Sequence, residues 1–111
     1  MSFRSKSYYE QVFMITEQIP EGRVSTYGAI ADYLALGSAR MVGYALTQSN
    51  KMNMPVPAHR VVNRIGELTG RGHFKPPSLM QKLLEQEGVE IKKDKVVNFK
   101  ELFWHPQELD V

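Results

Sequence analysis

Cysteine is missing from all 111 residues. Its absence excludes disulfides, thiolate metal sites and any sulfur nucleophile. Long apolar runs are missing too: none approaches the roughly 20 residues that a membrane helix needs, so no membrane association is expected. The first residues, Met1-Ser2-Phe3-Arg4-Ser5-Lys6, lack the apolar core of a signal peptide, and a cytoplasmic protein is the default reading. Histidine is sparse: His59, His73 and His105 stand too far apart for ligand spacing, so no metal is expected, and no cofactor either. There are no repeats, low-complexity segments or linkers. With 42% hydrophobic and 23% charged residues, the chain reads as one globular domain over residues 1–111 with a packed core.

The net charge of +2 is too small to argue for nucleic acid alone, but its distribution is uneven. From Arg23 to Lys75 the charged residues are Arg23, Arg40, Lys51, Arg60, Arg64, Arg71 and Lys75 against Asp32 and Glu67, while most remaining acids come later. A basic face on a nearly neutral protein follows as an expectation.

Tyr8, Val12, Ile15 and Ile19 recur at helical spacing, and Pro20 ends that helix. Pro20-Glu21-Gly22-Arg23 reads as a turn and Val24 as a short extended piece. Ser25 or Thr26 caps a second helix through Leu34. Gly37 is assigned the next tight turn, and Ser38 the cap of a third helix from Ala39 to Gln48, with Ala39, Val42, Gly43 and Leu46 on one face. Two short helices around a glycine-containing turn suggest helix-turn-helix, a pattern that many helical hairpins share. Residues 50–57, with Pro55 and Pro57, form a loop. Residues 60–63 are extended, and residues 64–68 form a turn and a further extended piece, a small wing. A Gly/Pro-bounded loop spans residues 70–77. Ser78 caps a fourth helix carrying Leu79, Leu83 and Leu84, stopped by Gly88. Residues 89–91 and 96–99 read as strands about a polar Lys92-Lys93-Asp94-Lys95 turn. Phe103 and Trp104 are assigned to covering the core.

Four stretches occur in order: Ile19-Pro20-Glu21-Gly22-Arg23-Val24-Ser25-Thr26-Tyr27-Gly28, Ala39-Arg40-Met41-Val42-Gly43, Pro57-Ala58-His59-Arg60-Val61-Val62, and Leu84 with Glu87-Gly88. Over residues 7–91 the chain thereby resembles the C-terminal DNA-binding domain of the O6-alkylguanine-DNA alkyltransferases, the methylated-DNA–protein-cysteine methyltransferases. That family reads Pro-Cys-His-Arg where this chain has Pro57-Ala58-His59-Arg60. A methyl side chain forms no thiolate, so the acceptor for the alkyl group is missing. The better resemblance is to the alkyltransferase-like proteins, which carry Trp or Ala there. Arg71 also fits their pattern.

The resemblance implies an α+β fold: a mainly helical, winged-helix-like helix-turn-helix domain with a small wing and short C-terminal strands. It implies that Thr26, Tyr27 and Arg40 bind DNA. Tyr27 crowds the phosphate beside a flipped nucleotide, and Arg40 enters the base stack where the nucleotide has left. Tyr27, Ala58, His59, Val61 and Arg71 line the lesion pocket, Ala58 and Val61 reading the edge of the flipped guanine with their backbone carbonyls. His59, Glu87 and Asn50 are what remains of the relay that activates the enzymes' thiol. The stretch from Arg40 to Asn50 is one residue longer than in the enzymes, which leaves the role of Asn50 open.

The function so implied is non-enzymatic. The chain, a monomer, binds double-stranded DNA containing O6-alkylguanine, flips the damaged nucleotide into a pocket and flags it for nucleotide excision repair proteins. Two other readings stay open. One is a methyltransferase with a non-cysteine acceptor, for which His59 is the nearby candidate. The other is a plain helix-turn-helix regulator with its third helix in the major groove. Against the second, Ala39, Val42, Gly43 and Ala45 leave few side chains on that helix to read base edges.

Overall fold

A computed structural model describes residues 7–49 and 51–110. The first helix, α1 (Tyr8–Glu17), starts where the Ser7 side chain accepts the Glu10 N–H and buries Val12, Phe13, Ile15 and Thr16. Strand β1 (Ser25–Thr26) runs directly into α2 (Tyr27–Tyr33). Helix α3 (Ala39–Gln48) crosses α1 and α2 and buries Val42, Ala45 and Leu46 against them. Ala39 stays exposed, and Gly43 turns toward Tyr27 instead of the core. The buried stripe is therefore rotated from the expected one.

A single turn of 3₁₀ helix (Ala58–Arg60) leads into β2 (Val61–Val62), which pairs parallel with β1, Ser25 opposite Val61 and Thr26 opposite Val62. Val61 joins the α1–α3 core, whereas Val24 and Val62 join a second core. That second core holds Leu68, α4 (Ser78–Gln86) and a hairpin of β3 (Ile91–Lys92) and β4 (Lys95–Val96). The short parallel ladder thus joins two packed halves.

The C-terminal hairpin forms, though its strands are shorter than expected, while the wing expected at residues 64–68 is a turn that meets this hairpin through a single bridge. Lys93 and Asp94 both take positive φ, 52° and 60°, closing a two-residue turn. Glu67 bridges Lys95, and the Val96 N–H bonds the Gly66 carbonyl at 2.9 Å. Phe99 is not in a strand: it opens α5 (Phe99–Leu102) and packs on Gly66. In α4 the buried residues are Met80 and Leu84, with Leu79 and Leu83 only partly covered, and the cap position falls on Pro77 rather than Ser78. Gly88 does end that helix, with φ 89°. Trp104 is 3% exposed in the first core, and its backbone N–H bonds the Val24 carbonyl at 2.7 Å. The aromatic tail is thus a structural strap alongside residues 23–24.

The turn between α2 and α3 differs from the sequence expectation. The left-handed residue is Ala35, φ 56°, not Gly37. The Ala35 N–H bonds the Asp32 carbonyl and the Leu36 N–H bonds the Ala31 carbonyl, the paired closure of a helix end that favours glycine. An alanine Cβ in this region costs roughly 1–2 kcal/mol. Ala35 is exposed, so its methyl contributes little packing. Ala35→Gly is therefore expected to raise the unfolding free energy by about 0.5–1 kcal/mol, after allowing for the greater chain entropy of glycine. A urea titration checks this; a lower midpoint at unchanged m-value contradicts it.

Candidate nucleic-acid interface

Tyr27 holds its place through the residue before it. Thr26 has extended backbone, φ −126°, and its Oγ1 accepts the Ala29 N–H at 3.0 Å, capping α2. Tyr27 is therefore the first helical residue, held on the other side by the β1–β2 ladder. Its ring faces Gly43 of α3, where an added Cβ would stand 3.8 Å from Cδ1 and Cε1. Its hydroxyl sits over Gly70, where an added Cβ would come within 2.7 Å. Burial raises the Tyr27 pKa, and a hydrogen bond with the Thr69 side chain partly offsets it.

Around this tyrosine lies a cleft of about 470 Å³, within the range that takes a small organic ligand. One wall is the outer face of α3, where Arg40, Gly43, Tyr44 and Thr47 follow one another at helical spacing. Ala58 lies opposite, and Thr69, Gly70, His73 and Phe74 close the third side. Arg40 is exposed in the first turn of α3, and no hydrogen bond or ion pair among the described residues restrains its guanidinium.

Ala58 is placed by the proline before it. Pro57, φ −75° and ψ 64°, forms an inverse γ-turn in which the Ala58 N–H bonds the Val56 carbonyl at 2.7 Å. The next two side chains turn away from the cleft to a buried carboxylate. Glu87 Oε1 accepts from Gly22 N–H at 3.0 Å and Arg60 Nε at 3.0 Å; Oε2 accepts from Arg60 Nη2 at 2.9 Å and His59 Nε2 at 2.7 Å. Arg60 Nη1 continues to the Ile19 carbonyl at 2.9 Å. The side chains are 8% exposed for Glu87, 12% for His59 and 16% for Arg60. Burial alone pushes the Glu87 carboxyl up; the Arg60 guanidinium, the Gly22 amide and His59 together outweigh it and bring it to about 2.

The expected site residues divide accordingly. Tyr27, Arg40 and Ala58 meet at the cleft, with Thr26 beneath as the cap. His59 and Glu87 meet each other, not the cleft. The Val61 side chain is fully buried in the core, so its expected part in the pocket rests on its backbone carbonyl alone. Arg71 leaves the cleft: its Nη1 bonds the Leu68 carbonyl at 3.0 Å, and it borders a separate cleft with Pro77, Ser78 and Asp94. His73 and Phe74 of that loop line the main cleft in its place. Asn50 lies outside the described residues. Tyr44 and Thr47 were missed, although their spacing from Arg40 on α3 was a usable signal. Nor do the central basic residues form one face: Arg23 and Arg60 are engaged in internal ion pairs, and Arg64 borders another cleft. Among the described residues no cluster of His, Asp or Glu could hold a metal.

Two measurements follow from this geometry. Gly70→Ala must displace the Tyr27 hydroxyl and should destabilise the fold by about 1 kcal/mol or more, whereas Gly43→Ala, with ordinary contacts and better helix propensity, should not. Removing the hydroxyl in a Tyr27→Phe background should relieve most of the Gly70→Ala cost, and a double-mutant cycle with no coupling would refute the clash. For Glu87, an unfolded chain takes up a proton near 4.5 but the folded chain only near about 2. The stabilisation is thus fully present above 4.5 and is lost as pH falls through that interval, amounting to about 3 kcal/mol. Glu87→Gln should remove this part of the acid dependence and, by leaving Arg60 buried without its counter-charge, cost roughly 3–5 kcal/mol at neutral pH. Unfolding curves of both proteins from neutral to acid pH test both points; parallel pH profiles would contradict the assignment.

Comparison with known proteins agrees with these observations. Residues 7–89 match the family model described as 6-O-methylguanine DNA methyltransferase, DNA binding domain. The chain is 36% identical over 108 residues to alkyltransferase-like protein 1 of Schizosaccharomyces pombe, covering 93% of this chain and 99% of that one. It is 35% identical over 101 residues to the DNA base-flipping protein of Vibrio parahaemolyticus, covering 86% and 94%. The crystal structure of S. pombe Atl1 in complex with damaged DNA containing O6-carboxymethylguanine superposes with a TM-score of 0.76 at 36% identity, over 89% of this chain and 95% of that one. With the family model matched over residues 7–89 and relatives covered over nearly their whole length, the chain belongs to the family of the 6-O-methylguanine DNA methyltransferase DNA-binding domain, together with the alkyltransferase-like proteins.

Proposed function

We propose that this protein recognises O6-alkylguanine in duplex DNA without repairing it. The observation that carries this reading is Ala58: the wall of the Tyr27–Arg40 cleft carries a methyl group, in a chain without cysteine. No sulfur is available to accept an alkyl group. The relatives support the same reading, one being a base-flipping protein and another having been crystallised on alkylated DNA. In this reading the damaged nucleotide rotates into the cleft and Arg40 takes its place in the base stack, where a planar cation stacks on neighbouring bases and bonds the orphaned partner. Lesion selectivity comes from the lower cost of extruding a poorly paired base. The complex, a single protein copy on the duplex, then serves as the flag that nucleotide excision repair proteins read.

Matched duplexes with guanine or O6-methylguanine test the proposal directly. Tighter binding to the alkylated duplex is expected, with no gain in intact protein mass after prolonged incubation. A stoichiometric methyl adduct would overturn the non-enzymatic reading and revive His59 as an acceptor. Equal affinity for both duplexes would favour a plain regulator. Arg40→Ala should cost about 1–3 kcal/mol of lesion binding. Arg40→Lys should restore little of it, and full restoration would reduce Arg40 to a phosphate contact.

A further inference from the structure

A second concavity opens on the other side of α2. Gly28, Ala29 and Asp32, which border it, lie roughly 100–200° around the helix from Tyr27. Its volume is about 520 Å³, and it shares no lining residue with the Tyr27–Arg40 cleft. The Phe99 and Phe103 rings, 5.7 Å apart and inclined at 53°, line it. Through Arg64, Phe99 and Lys100 it runs into a neighbouring cleft of about 500 Å³ that reaches Lys95 and the exposed side chains of Ile65 and Val97.

The rim is cationic. Arg64, Lys95 and Lys100 are all exposed, and none has an ion-pair partner among the described residues. Two carboxylates share the border, Asp32, which lies 3.4 Å from the His105 ring, and Glu101 in the second cleft, and the three unpaired cations outnumber them. An apolar trough edged by unmatched positive charge is poorly suited to a duplex backbone, which offers phosphates but no apolar group to fill the trough. It suits a protein segment that carries both: an apolar anchor buries in the trough while acidic neighbours meet the rim.

We propose that this groove docks an acidic peptide segment of a partner protein, with an aromatic side chain packed against the Phe99–Phe103 pair and carboxylates facing Arg64, Lys95 and Lys100. The groove stays open while the Tyr27–Arg40 cleft is occupied, because α2 separates them, so the two ligands bind together. The proposal does not require the lesion reading: it concerns residues that the other cleft does not use.

The probe is a short fluorescein-labelled peptide of alternating Asp and Glu around a central Phe, titrated with the full chain and followed by anisotropy. Controls are the same peptide with Ser for Phe and a mirror peptide with Lys for every acid. Saturable binding of the acidic probe is expected, weakened about tenfold by the Phe-to-Ser change. The doubly substituted Arg64→Glu, Lys100→Glu protein should likewise lose about tenfold, while its affinity for O6-methylguanine duplex stays within about twofold of the parent's. Both sites are exposed and unpaired, so the fold should tolerate the change. Backbone amide shifts on peptide addition should centre on residues 64–66 and 97–103. The proposal is overturned by absent or non-saturable binding, by equal binding of the mirror peptide, or by shifts centred on Tyr27 and Arg40. Equal loss of duplex and peptide affinity in the double variant would overturn it too, marking the rim as a DNA-backbone contact. If lesion binding fails while the peptide still binds, only the function proposed above is lost.

Discussion

The Glu87 carboxylate is the constraint on which the rest depends. It stands at the end of α4 and collects donors from the turn after α1 and from the 3₁₀ turn that carries Ala58. Each of those segments is short and lacks regular partners for its polar groups. A buried ionised carboxylate is costly unless every lone pair is used; here four N–H groups supply the match, and burial that would favour the neutral acid is overcome. The same bonds hold Gly22, His59 and Arg60 together, and so orient Pro57-Ala58 and the start of β1. The wall of the cleft and the helix that presents Tyr27 are both positioned from this one group.

This arrangement explains why residues resembling a catalytic relay persist beside a position with no nucleophile. In the family resemblance His59 and Glu87 serve a thiol. In this chain Glu87 is bonded more extensively to Arg60 than to His59, and it also fixes a glycine turn 65 residues earlier. Those contacts owe nothing to sulfur, so their structural role does not depend on a nucleophile at position 58. The chemistry of the position and the architecture around it are separable.

Much of the fold could be read in advance because it rests on local signals. The spacing of Tyr8, Val12 and Ile15, the cap at Thr26 and the stop at Gly88 each act within a few residues, and each marks its element; Ser38 stands at the start of α3 without a side-chain capping bond, and α1 ends at Glu17, short of Ile19. The misreadings share a different cause. Gly37 was assigned the turn because glycine tolerates positive φ, yet the helix length set by packing places Ala35 there. Phe99 looked like a strand residue, but a position against Gly66, distant in sequence, draws it into α5. Of the candidate site, Tyr27, Arg40 and Ala58 were legible from motif and spacing. The direction of the Arg71 side chain was not, since it depends on a carbonyl at Leu68 that no linear pattern shows. Tyr44 and Thr47 follow Arg40 at helical spacing, a signal present in the sequence on the face of α3 opposite its apolar stripe.

A recognition site without a nucleophile works under a different thermodynamic rule from a transferase. Covalent transfer makes recognition irreversible, so even a briefly flipped base is captured. In the proposed reading nothing is captured, and occupancy is set by equilibrium. Extrusion costs a few kcal/mol, which contacts within the cleft must exceed for a lesion and fail to exceed for an intact pair. A rigid cleft suits that requirement, because ordering side chains on binding would subtract from a small margin. Tyr27 is already ordered, wedged between Gly43 and the Thr69-Gly70 turn. Arg40 is not: it is exposed and unrestrained, so its ordering is a cost that only a vacated stack repays. The group that needs the gap in the duplex is thus the one left free until the gap exists, and this places discrimination at the flipping step.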